Sequence, residues 1–155
     1  SCADLLSMKV GINVVNADSM RDRTFMPALH GFIDTVRDGA PDTPFIVMSP
    51  IFCPGHEEGF GPSMRGKEGI YSRERPGFLG TGALNLKRIR EYVAKVVEQR
   101  RAAGDTNIHH VDGLRLFGPD DVGDMPDLLH PNRAGYARMG DRFRSIAFGD
   151  GPFAG

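Results

Sequence analysis

The sequence predicts an α/β protein built on a parallel sheet. Three apolar runs of strand length alternate with longer stretches in which apolar residues recur every three or four positions. This alternation is typical of parallel strands joined by helical crossovers. With 155 residues the chain is about the size of one domain.

The three predicted strands cover residues 4–13, 44–51 and 107–112. The second strand (PFIVMSPI) is apolar nearly throughout, as expected when helices cover both faces of the sheet. The first strand begins almost at the start of the chain, with no earlier element to pair with it.

Helix signals separate these strands. Asp18 and Ser19 are predicted to cap the first helix, and Asp22 follows Ser19 by three residues, as in a capping box. A second helix is predicted over residues 81–103, and Asn132 is the predicted N-cap of the last one. The inward faces are predicted to be formed by Phe25, Leu29, Phe32, Ile33 and Val36; by Leu86, Ile89, Val93, Val96 and Val97; and by Tyr136, Met139, Phe143 and Ile146.

Composition excludes several partner classes. The formal net charge is -1, so no general electrostatic field would attract nucleic acid or an anionic membrane, and no apolar run has the length of a membrane span. Two cysteines, Cys2 and Cys53, are too few for a disulfide framework. No metal site is predicted, because Cys53 and the nearby His56 lack a full ligand set, and His109 and His110 point to opposite faces of a strand.

Residues 52–80, here called the lid segment, are rich in Gly, Pro and charge, without clear periodicity. They leave the second strand at its carboxyl end and carry Phe52, Phe60, Tyr71 and Phe78, together with Arg65, Arg73 and Arg75. Two interpretations stay open: a lid or substrate wall with aromatic contacts for an acyl, aryl or sugar group, or a surface excursion packed by its own aromatic residues.

Two polar stretches are candidates for catalysis. Asp127 precedes His130 by three residues, and a carboxylate at that spacing on a turn can orient the imidazole of a general base. Asn13, two residues after Gly11 at the end of the first strand, can present an amide N–H to a developing oxyanion. Taken singly, each stretch is better explained as a turn or a helix cap.

Together, in this order and at these strand ends, the two stretches resemble the SGNH (GDSL-like) hydrolases, and the sequence LHPNRAGY after Asp127 resembles that family's C-terminal signature. The resemblance spans residues 4–147. It implies a three-layer α/β/α sandwich with a parallel, flavodoxin-like sheet. It also implies ester hydrolysis without a cofactor, with His130 as base, Asp127 as its orienting acid, and Asn13 and Gly11 lining the site.

The family's nucleophile motif, a Gly-Asp-Ser type sequence after its first strand, has no counterpart here. About two βα units, roughly 60 residues, would be missing. Ser49 follows a strand without an elbow-like turn and is not expected to replace the nucleophile. We therefore expect residues 1–155 to be the C-terminal part of one catalytic domain, inactive alone, whose first strand needs the missing N-terminal segment as a partner.

The predicted function is that of a serine esterase acting on short acyl or carbohydrate esters, with Phe52, Phe60 and Tyr71 as substrate-binding residues. One alternative is an acyltransferase of the same family that uses an acceptor other than water. Another is a non-catalytic SGNH-like binding domain. The sequence carries no signal for the cellular compartment.

Overall fold

A three-stranded parallel sheet forms the centre of the computed structural model, which describes residues 3–154. Its strands are β1 (Leu6–Lys9), β2 (Phe45–Met48) and β5 (Ile108–Val111), in the spatial order β1-β2-β5. The central strand β2 is buried on both faces, as its continuous apolar sequence predicts. Because β1 is at the edge of the sheet, one side of it has no neighbouring strand within the described part of the chain.

Helices cover both faces of this sheet. α2 (Asp22–Gly39) and α3 (Leu86–Ala102) pack on one face, and α4 (Arg133–Phe148) packs on the other. Alternate residues of β2 enter two separate cores, with Val47 facing α2 and α3 and Ile46 facing α4. The predicted three-layer α/β arrangement with a parallel sheet is confirmed.

The predicted start of α2 was wrong by two residues. Asp18 has a positive φ of 48°, which turns the chain before the helix, and Arg21 occupies the N-cap position in place of Ser19. The backbone N–H of Arg21 donates to Oγ1 of Thr24 at 3.0 Å, which is the one capping-box bond that the N3 side chain supplies, two residues later than predicted.

Two predicted core positions are solvent-exposed. Phe32 on α2 is 54% exposed and Tyr136 on α4 is 52% exposed, although the spacing of each residue matches the apolar face of its helix. The other residues predicted for these faces are buried or packed against the two cores. Phe32 lies beside the free edge of β1. All five residues predicted for the inward face of α3 are buried.

The first predicted strand is shorter than expected, and a short helix, α1 (Ile12–Asn16), follows it. Gly11 makes this change of direction possible, because its φ is 123° and a Cβ there would lie 2.3 Å from Ile89 and 2.8 Å from Pro50. Asn13 therefore lies on a helix and not at the end of a strand, which corrects the predicted local structure.

The lid segment has structure that its sequence did not predict. β3 (Ser63–Arg65) and β4 (Ile70–Ser72) form an antiparallel hairpin in which Ser63 pairs with Ser72. Short 3-10 turns at Pro54–His56 and Gly77–Gly80 flank the hairpin. Among residues 3–154 no helix is long and apolar enough to cross a membrane.

Candidate active site

Asp127 and His130 form a hydrogen-bonded pair on the turn before α4. Nδ1 of His130 lies 2.7 Å from Oδ2 of Asp127. The other carboxylate oxygen, Oδ1, accepts the backbone N–H groups of Leu129 at 3.0 Å and His130 at 2.7 Å. With a proton on Nδ1 shared with the carboxylate, Nε2 of His130 presents its lone pair outward from a side chain that is 64% exposed.

These hydrogen bonds keep Asp127 ionised. Partial burial acts to raise the pKa of its carboxyl group, but the bonds from the imidazole and from the two backbone N–H groups outweigh burial. The net effect lowers the pKa of Asp127 from 3.8 to about 2. The carboxylate therefore carries a full negative charge next to the imidazole at any pH at which an esterase works.

The turn between the two residues is strained and externally held. Leu128 has a φ of 60°, a left-handed conformation that is costly for a residue with a branched side chain. Sγ of Cys53 donates to the carbonyl oxygen of Leu128 at 3.1 Å, and the N–H of Ile70 donates to the carbonyl oxygen of Asp127 at 2.9 Å. Contacts from two other parts of the chain thus fix the position of the carboxylate.

Cys53 is itself held by a buried ion pair. Its backbone N–H donates to Oε1 of Glu57 at 3.1 Å, and Glu57 pairs with Arg90 from α3 in the interior. Arg90 also donates to the carbonyl oxygen of Pro50 at 3.3 Å. Burial, reinforced by the nearby Glu57 charge, raises the pKa of the Cys53 thiol to about 12, so the group is a neutral donor. Cys2, the other cysteine, lies outside the described residues.

Asn13 lies at the same end of the sheet as this turn. Asn13 follows the carboxyl end of β1, and the turn is bonded at Leu128 by Cys53, which follows the carboxyl end of the neighbouring parallel strand β2. The side chain of Asn13 is exposed, and none of the hydrogen bonds among residues 3–154 engages its amide. Its N–H groups are therefore available to a ligand. The substrate contact predicted for Gly11 stays a prediction, and its observed contribution is the turn that allows α1 to form.

The predicted aromatic contacts have different environments. Tyr71 is exposed and lines a cavity of about 380 Å³ that is bounded by the hairpin turn and by Leu128. Phe60 is half-buried, and Phe52 packs against the core under α4. Phe78 is 84% exposed at the far end of the lid segment. Of the three predicted substrate-binding residues, Tyr71 lines the same cavity as Leu128 of the Asp127–His130 turn.

Contacts that the sequence did not predict tie the lid segment to the residues after α1. Arg75 and Arg21 both pair with the carboxylate of Asp18, whose side chain is almost fully buried, and Arg21 also donates to the carbonyl oxygen of Leu79 at 3.2 Å. The hydroxyl of Ser63 donates to Oδ1 of Asn16 at 2.8 Å. The lid segment is therefore an ordered wall between α1 and the Asp127 turn.

No serine among the described residues is hydrogen-bonded to His130. Ser49 is fully buried, and its hydroxyl accepts the N–H of Gly113 at 3.1 Å, so it stabilises the loop after β5. Within residues 3–154 no group of three or more His, Cys, Asp or Glu side chains could hold a metal ion.

Solved structures of several other proteins are similar to this fold. A salicylyl-acyltransferase from a tetracycline biosynthetic pathway is similar over 97% of the chain, with 27% identity and a TM-score of 0.72. A GDSL-like lipase from Bacteroides ovatus matches 94% of the chain with 22% identity and a TM-score of 0.61. The chain has the fold of GDSL-like hydrolases. A family two carbohydrate esterase from Clostridium thermocellum matches 97% of it with 18% identity and a TM-score of 0.65.

The chain spans 39%, 35% and 36% of the length of these three proteins, in the same order. No family model matches the sequence, and no curated protein sequence matches it significantly. The structural similarity establishes the fold of the chain, and its chemistry is argued from the site itself.

Proposed function

We propose that this chain supplies the Asp–His pair and one oxyanion donor of an SGNH-type serine esterase. The observation that carries the proposal is the 2.7 Å bond between Nδ1 of His130 and Asp127, which leaves Nε2 exposed as a base. A turn that served only to cap α4 would not need the imidazole, because Asn132 already caps the helix by accepting the N–H of Gly135.

The residues divide the reaction between them. Nε2 of His130 takes the proton of the serine hydroxyl as its oxygen attacks the ester carbonyl, and Asp127 stabilises the imidazolium that results. Asn13 donates to the oxyanion of the tetrahedral intermediate. The imidazolium then protonates the departing alcohol, leaving an acyl-serine, which water hydrolyses by the same steps with His130 again as base.

The nucleophilic serine is contributed by a segment outside residues 1–155, and this chain is the C-terminal part of that catalytic domain. An apolar groove of about 290 Å³ lies along the free edge of β1, lined by Met8, Val10, Val14, Met20, Phe25 and Phe32. An unpaired apolar strand edge needs a covering element. An N-terminal βα segment of the same domain would cover this groove and bring its serine to the carboxyl edge of the sheet.

The proposed substrates are short acyl esters or acyl groups on carbohydrate, bound without a cofactor. The cavity beside Tyr71 and Leu128 adjoins the catalytic turn and offers an aromatic surface for the acyl or alcohol part. Phe60 and Phe52 are proposed as further contacts of this wall. Because contacts from Ile70, Ser63 and Arg75 order the lid segment, it is suited to a fixed binding surface.

Acyl transfer is the second candidate. It is favoured by the similarity to the salicylyl-acyltransferase, which at 27% has the highest identity of the three structures compared. In this version an acceptor alcohol replaces water in the second step, and the roles of His130, Asp127 and Asn13 are unchanged. A non-catalytic binding domain is the third, and a Gly-Asp-Ser type motif in the adjoining segment of the protein would exclude it.

The test uses the complete enzyme, meaning this chain joined to the segment that carries the serine. Hydrolysis of short nitrophenyl and acetylated-sugar esters is measured with and without added acceptor alcohols. Alcohol formation with free acid as the second product supports the esterase, whereas a new ester supports acyl transfer. Absence of turnover and of covalent labelling by a fluorophosphonate would contradict both.

A further inference from the structure

Three polar side chains under the hairpin form a chain that the proposed triad does not use. The hydroxyl of Ser63 donates to Oδ1 of Asn16 at 2.8 Å and lies 2.7 Å from Nε2 of His56. The three residues belong to β3, to α1 and to the 3-10 turn at the start of the lid segment. His56 is fully buried, and the other two are half-buried.

The direction of these bonds follows from the chemistry of the hydroxyl. Ser63 has one proton, which it gives to Asn16, so its oxygen accepts from His56. His56 is therefore the neutral imidazole with its proton on Nε2. Burial, which disfavours the charged ring and lowers the pKa of His56, agrees with this state. Nδ1 of the same ring is buried and has no partner among the described residues.

This arrangement cannot serve as a second serine–histidine catalytic pair. The nitrogen that faces Ser63 carries a proton, so it has no lone pair with which to accept the serine's proton. No carboxylate engages Nδ1 among residues 3–154, in contrast to the Asp127–His130 pair. The three hydrogen-bonded side chains therefore have a structural role, and the element that they hold in place is α1.

α1 depends on such a tether. It has only five residues and no side-chain N-cap, and an isolated helix of that length is unstable in water. Within α1, Val15 is buried against the core, and Asn16 makes the bond to Ser63. Asn16 also follows Asn13 by three residues, so the two side chains are neighbours on one side of the helix. The rotation of α1 about its axis sets the direction of the Asn13 amide.

We infer that Asn16, Ser63 and His56 are positioning residues that aim Asn13 at the oxyanion. The inference rests on the proposed function and assigns the lid segment a role in transition-state stabilisation as well as in substrate contact. A donor that is turned away from the oxyanion weakens binding of the transition state and leaves ground-state binding nearly unchanged. Loss of the tether should thus lower kcat and spare KM.

Ser63→Ala in the complete enzyme removes the central hydroxyl. Ser72→Ala is the matched control, because Ser72 lies directly opposite in the hairpin and its hydroxyl makes no hydrogen bond among the described residues. We expect Ser63→Ala to lower kcat about 10- to 100-fold, part of the loss seen when an oxyanion donor is removed. KM should stay within about twofold, and Ser72→Ala should leave both constants unchanged.

Rescue by side-chain chemistry separates positioning from packing. His56→Gln places an amide N–H near the position of Nε2 and should retain most of kcat, whereas His56→Leu should lose as much as Ser63→Ala. Equal losses in Ser63→Ala and Ser72→Ala, or an unchanged kcat in Ser63→Ala, would overturn the inference.

A spectroscopic experiment decides the inference even if the complete enzyme proves inactive. ¹⁵N NMR should show His56 as the neutral Nε2–H tautomer near neutral pH. The side-chain amide resonances of Asn13 should shift in Ser63→Ala and not in Ser72→Ala. Unshifted Asn13 resonances in Ser63→Ala would contradict the inference, whereas absent esterase activity with the expected shifts would contradict only the proposed function.

Discussion

Ile70 donates its backbone N–H to the carbonyl oxygen of Asp127 at 2.9 Å, which joins the hairpin of the lid segment to the turn that carries the proposed catalytic carboxylate. At its other end the same hairpin holds α1 through the bond from Ser63 to Asn16. The lid segment thus connects the two halves of the site, and changes in its hairpin should affect both halves.

The buried Arg90–Glu57 pair should be essential for stability. Arg90→Ala leaves the Glu57 carboxylate buried without its cationic partner, so the free energy of unfolding of the complete protein should fall by about 3–5 kcal/mol. Arg88→Ala, two residues earlier on α3, breaks an exposed pair with Asp22 and should cost about 1 kcal/mol or less. Urea denaturation measures both variants, and equal losses would contradict the interpretation of Glu57 as buried and dependent on Arg90.

The Cys53 thiol should be unreactive in the native protein. Its pKa is raised from 9.0 to about 12, so the thiolate fraction near pH 8 is about a thousandfold lower than for an unperturbed thiol. Alkylation by iodoacetamide is followed by mass spectrometry in a Cys2→Ser background. We expect slow labelling in buffer and rapid labelling in denaturant. Comparable rates in the two conditions would show that the thiol is not held as described.

Phe32 should lie in the interface with the segment that supplies the serine. In the complete protein, Phe32→Glu places a charge against that segment and should lower the free energy of unfolding by about 2 kcal/mol or more, the value of burying one large apolar side chain. Phe78→Glu is the control, because Phe78 is exposed on the lid segment and does not line the groove along β1. A Phe32→Glu variant as stable as the control would place the missing segment elsewhere.

Stability should decrease as the pH falls from 8 to 5. Burial lowers the pKa of His56, His109 and His110 below 6.5, and for His109 the positive charge of Arg101 adds to this effect. The unfolded chain then binds more protons than the folded one below about pH 6.5. The free energy of unfolding is therefore at its full value above about pH 6.5 and decreases as the pH falls below it. Denaturant midpoints measured across this range should decline, less steeply in His56→Gln, and a flat profile would contradict the assigned burial.

The sequence was sufficient to predict the three strands of the parallel sheet, the three long helices and the Asp127–His130 turn. These features depend on local periodicity and on a three-residue spacing, both of which are visible without a structure. β2 was predicted well because its apolar run is uninterrupted. The predicted start of α3 was wrong by five residues, because Asn85 caps the helix by accepting the N–H of Arg88 and the helix begins at Leu86.

The missed features depend on long-range contacts or on special backbone geometry. The start of α1 depends on a positive φ at Gly11, and a continuous apolar run gave no sign of it. The strands of the hairpin are three residues long, too short to show alternation. The hydrogen bond between Ser63 and Asn16 joins residues that are 47 positions apart in the sequence. No periodicity or spacing in a single sequence indicates a contact over that separation.

The exposure of Phe32 has a different cause. Its spacing on α2 correctly indicates an apolar surface, but among residues 3–154 no element covers that surface. The sequence therefore predicted burial that the described chain does not itself provide. This mismatch agrees with the proposal that an additional segment completes the domain.

The most direct test of the account is kcat/KM for ester hydrolysis by the complete enzyme carrying His130→Ala, with wild type measured in parallel. We expect a decrease of at least about a thousandfold, because the serine then has no base to accept its proton. Activity within about tenfold of wild type, from a folded variant, would contradict the assignment of His130 and with it the proposed function.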